Sequence, residues 1–161
     1  TSLGCIGFRS VEIDRGTDGQ GFGLRVNGAP VFCRGAVWTP LEPISLQNDP
    51  ATLGRAIDLA REAGVNMLRV GATGVYETDD FYRACDAAGI MVWQDFMFSN
   101  FDYPVADAGF AISAEEEARQ FLARTRGSPS RKVPNSSGNT SLGPTLYQGS
   151  ADISSSGVRG G

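Results

Sequence analysis

From about residue 31 to residue 126, short apolar runs alternate with stretches whose apolar residues recur at helical spacing, and this alternation limits the possible fold more than any other feature. Asn66-Met67-Leu68-Arg69-Val70 and Ile90-Met91-Val92-Trp93 read as strands of the buried type. Asp49 can cap a first helix and Pro50 suits its first position, with Leu53, Ala56, Ile57, Ala60 and Ala63 along one stripe and Gly64 as the stop. Thr78 or Asp79 opens a second helix that turns Phe81, Ala84, Cys85 and Ala88 inward and ends at Gly89. Ser113 with Glu116 makes a capping box for a third, in which Ala118, Phe121, Leu122 and Thr125 align. Strand, helix, strand, helix, strand, helix implies an α/β fold with a parallel sheet. Strand starts near 31, 67 and 91 match the spacing of a (β/α)8 barrel, whose eight units fill ~250 residues, so about three units fit here.

The chain on either side of this rhythm differs from it. GFRSVEID alternates imperfectly, as a strand over roughly 7–14 would. Asn27-Gly28 lies between two β-prone runs and predicts a hairpin turn, with Pro30 tolerated just beyond it. Near Gly127 the composition shifts. The first 126 residues hold 17 acidic and 11 basic side chains, whereas the last 35 hold one acid, Asp152, against Arg131, Lys132 and Arg159. Nineteen of those 35 are Ser, Gly or Pro, which leaves little apolar surface to offset the entropy of ordering them. Residues 127–161 are therefore expected to form a disordered low-complexity tail.

Composition removes several function classes. Without histidine, Ser-His-Asp and Cys-His catalysis and every histidine metal site are excluded, so carboxylates are the candidates for acid and base work. A net charge of −4 argues against a general nucleic-acid partner. Cys5, Cys33 and Cys85 are spaced neither as a metal clip nor as a disulfide framework and read as buried thiols. No run approaches the ~18 apolar residues of a membrane helix, and no leader pattern is visible at the amino end. No membrane partner and no cofactor are expected; compartment is left open with the cytoplasm favoured, and the oligomeric state is left open too.

In a β/α barrel the reactive groups gather at the carboxy ends of the strands. Arg69 ends the second strand, Asp95 follows the third, and Trp38 lies just past the first, where an aromatic face could meet the apolar C–H surface of a sugar. Each has a plainer alternative: Arg69 and Asp95 as an ion pair ordering the rim, and Trp38 packed under a loop. Gly71 and Gly74 follow a strand but lack the G-x-G-x-x-G run that cradles a dinucleotide, so a tight turn is favoured there. Glu115, Glu116 and Glu117 suit a solvated first helical turn.

GFRSVEID, FGLRVNGAPVFCRGAVWTP and AGVNMLRVGATGVYETDDFYRACDAAGIMVWQDFMFSNFDYP, in that order, resemble glycoside hydrolase family 2, and within it the β-mannosidase branch, over about residues 6–127. The resemblance implies that residues 1–26 end an immunoglobulin-like β-sandwich and that residues 27–126 begin a catalytic TIM barrel, a partial barrel of about three units. It implies a retaining glycosidase acting on terminal β-mannosides, in which one glutamate protonates the leaving oxygen and a second, ~5 to 5.5 Å away, attacks the anomeric carbon. In the family these follow the fourth and seventh barrel strands, and neither is found here. Gly138-Asn139-Thr140-Ser141 echoes the acid motif with Ser141 in the acid's place. Gly71-Ala72-Thr73-Gly74 stands where β-mannosidases commonly carry Trp-Gly-Gly-Gly. No catalytic residue is thus assigned and the chain alone is expected to be inactive. Arg69 would hold the nucleophile carboxylate, Trp38 and Asp95 would line the sugar site, and Tyr76 and Glu77 would serve the turn. The alternatives are a non-catalytic carbohydrate-binding remnant and a family 2 enzyme for galactosides or glucuronides.

Overall fold

The computed structural model describes residues 9–135. Its first unit is a three-stranded antiparallel sheet, β1 (Val11–Asp14), β2 (Gly23–Val26) and β3 (Ala29–Val31). Asn27 and Gly28 turn β2 into β3 with φ of 51° and 79°, the left-handed pair that a two-residue hairpin turn requires. The domain boundary expected after residue 26 therefore cuts a hairpin: Val26 pairs with Ala29 and Leu24 with Val31, so the sheet runs on to Val31.

The second unit is a four-stranded parallel sheet in sequential order, β4 (Gly35–Trp38), β5 (Met67–Val70), β6 (Met91–Asp95) and β7 (Arg131–Asn135), joined by α1 (Pro50–Glu62), α2 (Asp79–Ala88) and α3 (Ala108–Thr125). The first parallel strand thus begins four residues later than expected, because the run at 31 belongs to the hairpin. Gly35 opens β4 where a Cβ would stand 2.7 Å from the Met67 carbonyl oxygen, closer than real contacts allow.

Local signals explain most helix ends. Asp49 accepts the Thr52 N–H at 2.9 Å and Pro50 follows it; Gly89 takes φ 71° as the left-handed stop of α2. The third helix departs from expectation. Asp107, not Ser113, is its cap, accepting the Phe110 N–H at 2.7 Å, and Ser113 lies inside the helix. Phe110 rests on Tyr103, ring centroids 5.8 Å apart, which draws the first turns onto the preceding loop.

β7 corrects the expectation of a tail starting at residue 127. Arg131–Asn135 pairs in parallel with β6, although its sequence is not an apolar run. The free edge of β6 supplies backbone donors and acceptors that any extended segment can use, and Pro134, which lacks an N–H, is tolerated on an edge strand. The echo at Gly138–Ser141 and the rest of the tail lie outside the described residues, as does Cys5.

All three helices cover one face of the parallel sheet. Leu68, Val70 and Val92 meet Leu53 and Ile57 of α1, Phe81, Tyr82 and Cys85 of α2, and Ala118 and Phe121 of α3. Each Å² of apolar area that this layer removes from water stabilises the fold by ~25 cal/mol. A second cluster joins Leu24 of the antiparallel sheet to Met67 and Met91, the first residues of β5 and β6, with Val26, Val31 and Trp93 around them. The hairpin sheet therefore closes the amino end of the parallel sheet and leaves the carboxy end open.

Candidate functional site

Side chains alternate across a strand, so each parallel strand has a helix-side and a far-side set. The pairing aligns Trp38, Val70 and Gln94 in one row, and Val37, Arg69 and Trp93 in the next. Val70 belongs to the helix-side core and Gln94 accepts the Tyr82 hydroxyl of α2 at 2.6 Å, which fixes the first row as helix-facing. Arg69, Trp93 and, two residues on, Asp95 belong to the far face.

On that face the structure brings Arg69 and Asp95 together. Arg69 Nε and Nη2 donate to Asp95 Oδ2 at 3.1 and 2.7 Å, and Trp93 Nε1 donates to Asp95 Oδ1 at 3.1 Å. The Asp95 side chain is fully buried while that of Arg69 is 46% exposed. This is the rim ion pair that the sequence offered as the plainer reading, yet it leaves the guanidinium reachable from solvent. Gly35, Val37, Met67, Arg69 and Trp93 line a shallow hollow of about 240 Å³ beside it. A larger cavity of about 370 Å³, edged by Asn27, Asn66, Asp86 and Ser130, lies at the opposite, amino end of the strands.

Trp38 is set apart from this pair. It packs on Phe81 with centroids 5.0 Å apart and donates its indole N–H to Glu77 Oε1 at 2.8 Å. Glu77, 2% exposed, also accepts Asn48 Nδ2 on its second oxygen at 3.2 Å, and its carbonyl accepts Arg124 Nη2 at 2.7 Å. One carboxylate thus ties the exit of β4, the loop before α1 and the loop before α2, while α3 grips its backbone. The sequence placed Glu77 in a turn and missed this junction; the signal available was an acid seven residues after β5, directly behind Val75-Tyr76 and one residue before the cap of α2.

Around the junction, burial raises the pKa of the Tyr76 phenol, reinforced by its hydrogen bond to Glu117 at 2.8 Å. Burial also pushes the Cys85 thiol up to about 12, with the Asp86 and Glu77 charges adding to it. Neither group is suited to nucleophilic work. Among the described residues no cluster of three or more His, Cys, Asp or Glu side chains could hold a metal, and no helix is long and apolar enough to cross a membrane.

No protein-family profile matches the chain. It is 39% identical over 127 residues to β-mannosidase B of Emericella nidulans, covering 78% of this chain and 15% of that protein. The β-mannosidase of Rattus norvegicus is 37% identical over 127 residues, covering 76% and 14%. The crystal structure of the β-D-mannosidase of Dictyoglomus thermophilum superimposes with a TM-score of 0.71 at 41% identity, over 78% of this chain and 16% of that one. The chain is a β-mannosidase-like segment. It spans about 15% of the length of the relatives it matches. A β-glucuronidase of Bacteroides uniformis, TM-score 0.66 at 18% identity, shares the fold with this β-mannosidase-like segment.

Proposed function

We propose that this segment supplies the opening strands of a glycoside hydrolase family 2 catalytic TIM barrel acting on terminal β-mannosides, with the antiparallel sheet as the end of a preceding immunoglobulin-like domain. The supporting observation is the Arg69–Asp95 pair at the carboxy ends of β5 and β6, on the one sheet face the helices leave open, within a stretch 41% identical to a β-D-mannosidase of known structure. Barrel enzymes assemble their chemistry at that end of the strands.

In this reading Asp95 fixes the guanidinium plane of Arg69, and Trp93 fixes Asp95. A held guanidinium presents hydrogen-bond donors to an ionised carboxylate and favours its charged form. The carboxylate it serves is the nucleophilic glutamate of the complete enzyme; Asp95, fully buried and held by Arg69 and Trp93, acts on the sugar site through the arginine rather than by touching the sugar. Trp38 acts at one remove by locking the loops behind the rim. Retaining hydrolysis needs a second carboxyl ~5 to 5.5 Å from the first, and neither partner is found in this sequence, so the segment alone does not turn over glycosides.

A longer chain that completes the barrel is expected to hydrolyse nitrophenyl β-mannoside in preference to the β-galactoside and β-glucuronide. Within it Arg69→Ala should lower kcat/KM by about 100-fold, the scale of one lost charge-stabilising contact. Preference for another glycoside would overturn the sugar assignment, and an unaffected Arg69→Ala variant would overturn the role of the pair.

A further inference from the structure

We infer that Tyr76, with Glu77 beside it, is a positioning residue for the sugar site: the pair ties the loops leaving β4, β5 and β6 into one unit and thereby holds Asp95 against Arg69. The inference rests on the barrel-glycosidase reading above and adds a residue to it. Barrel enzymes build their sites from the loops at the carboxy ends of the strands, so whatever fixes those loops to one another fixes the site.

Two consecutive side chains in the loop after β5 reach different loops. Glu77 runs to the exit of β4, accepting Trp38 Nε1 at 2.8 Å and Asn48 Nδ2 at 3.2 Å. Tyr76 runs to the exit of β6: its hydroxyl accepts the Met97 N–H at 3.4 Å and donates to Glu117 Oε1 at 2.8 Å. Its ring stacks on Phe121 of α3, centroids 4.4 Å apart, and Phe121 meets Phe96 edge-on at 6.3 Å. α3 completes the tie, with Arg124 Nη2 donating to the Glu77 carbonyl at 2.7 Å. All of these groups lie between Trp38 and Arg124, so the tie is internal to this segment.

Tyr76 grips the chain beside the rim pair. Met97 stands two residues past Asp95, and Phe96 between them is buried. A tether on the Met97 N–H and packing on Phe96 leave little room for drift in the Asp95 carboxylate, which orients Arg69 through bonds of 3.1 and 2.7 Å. A phenol suits this place because it donates and accepts at once, whereas phenylalanine would keep the stacking and lose both bonds. Burial disfavours the phenolate, so the hydroxyl retains the proton that it donates to Glu117. Catalysis is sensitive to such fixing: a shift of about 1 Å in a reacting group can cost ~100-fold in rate.

The test is Tyr76→Phe in a longer chain that completes the barrel, assayed with nitrophenyl β-mannoside. kcat should fall about tenfold, less than a full misplacement costs, with KM within about twofold of the parent. In an Arg69→Ala background the same change should cost nothing further, because the tyrosine acts through that arginine; a purely structural role would lower both backgrounds by the same factor. Glu117→Gln, whose amide oxygen still accepts the phenol, should keep the parent's kcat, and Glu117→Leu should not. Hydrogen exchange at the Met97 amide should quicken in Tyr76→Phe. An unchanged kcat, equal losses in the two backgrounds, or unaltered Met97 exchange would each overturn the positioning role. A parent chain that turns over no β-mannoside would overturn the glycosidase reading, and this role with it.

Discussion

Removing the Glu77 carboxylate tests how the rim is held. In Glu77→Ala, Trp38 Nε1 loses a 2.8 Å acceptor in a position where the indole is 9% exposed and water has little access. An orphaned buried donor costs about 1–3 kcal/mol, and this one belongs near 2. Asn48 Nδ2 loses a longer, half-buried contact of 3.2 Å, worth about 1 kcal/mol because solvent can partly replace it. The sum, about 3 kcal/mol, is a large share of the ~5–15 kcal/mol that keeps a domain folded. Glu77→Gln keeps an oxygen for Trp38 but turns an amide toward Asn48, whose own oxygen already accepts the Leu41 N–H at 3.0 Å, so about 1 kcal/mol is expected. Urea unfolding followed by tryptophan fluorescence and circular dichroism measures both. A Glu77→Ala variant within about 0.5 kcal/mol of the parent would refute the view that this carboxylate joins the loops to the sheet.

Further expectations concern packing, pH and backbone space. Phe81→Ala empties a fully buried site between α2 and the sheet and should cost about 3–5 kcal/mol in the same urea assay. The Cys85 thiol, raised from 9.0 to about 12, binds its proton more tightly folded than unfolded; its contribution is intact below pH 9 and is lost as pH rises through that window. Alkaline melting of the parent should exceed that of Cys85→Ala, and a thiol reagent at pH 8 should label Cys85 only after denaturation. Tyr76, raised in the same direction, leaves part of the alkaline loss in that variant. On the acid side, Asp49 is held below its ordinary pKa first by the Thr52 backbone N–H, so its support of α1 is present above the unfolded pKa and disappears as pH falls through the folded one. Helical circular dichroism of Asp49→Ala should show less acid dependence than the parent. Gly35→Ala should disrupt β4 pairing, read as faster hydrogen exchange of the Asn66 and Met67 amides that bond the Arg34 carbonyl beside it.

The parts of this fold that local chemistry dictates were legible in the sequence. Asn27-Gly28 can hardly be anything but a tight turn, Asp49-Pro50 starts a helix through its own side chain, and Gly89 ends one. What could not be read depended on neighbours. The cap of α3 moved from Ser113 to Asp107 because Phe110 finds Tyr103, a tertiary contact that no local motif announces. β7 exists because β6 offers an edge, and backbone pairing does not require the apolar pattern that reveals a strand. Trp38 shows the limit most clearly. Strand periodicity places Val37 and Trp38 on opposite faces but does not say which face is which; only the helices settle it, sending Trp38 inward to Glu77 and leaving Arg69 and Asp95 together on the open side.

The most direct measurement is hydrolysis of nitrophenyl β-mannoside by the purified 161-residue chain. A scaffold that has its rim arginine and aspartate but lacks the pair of glutamates should release no nitrophenolate above the enzyme-free rate. Sustained release that co-purifies with the chain and vanishes in Arg69→Ala would contradict the account.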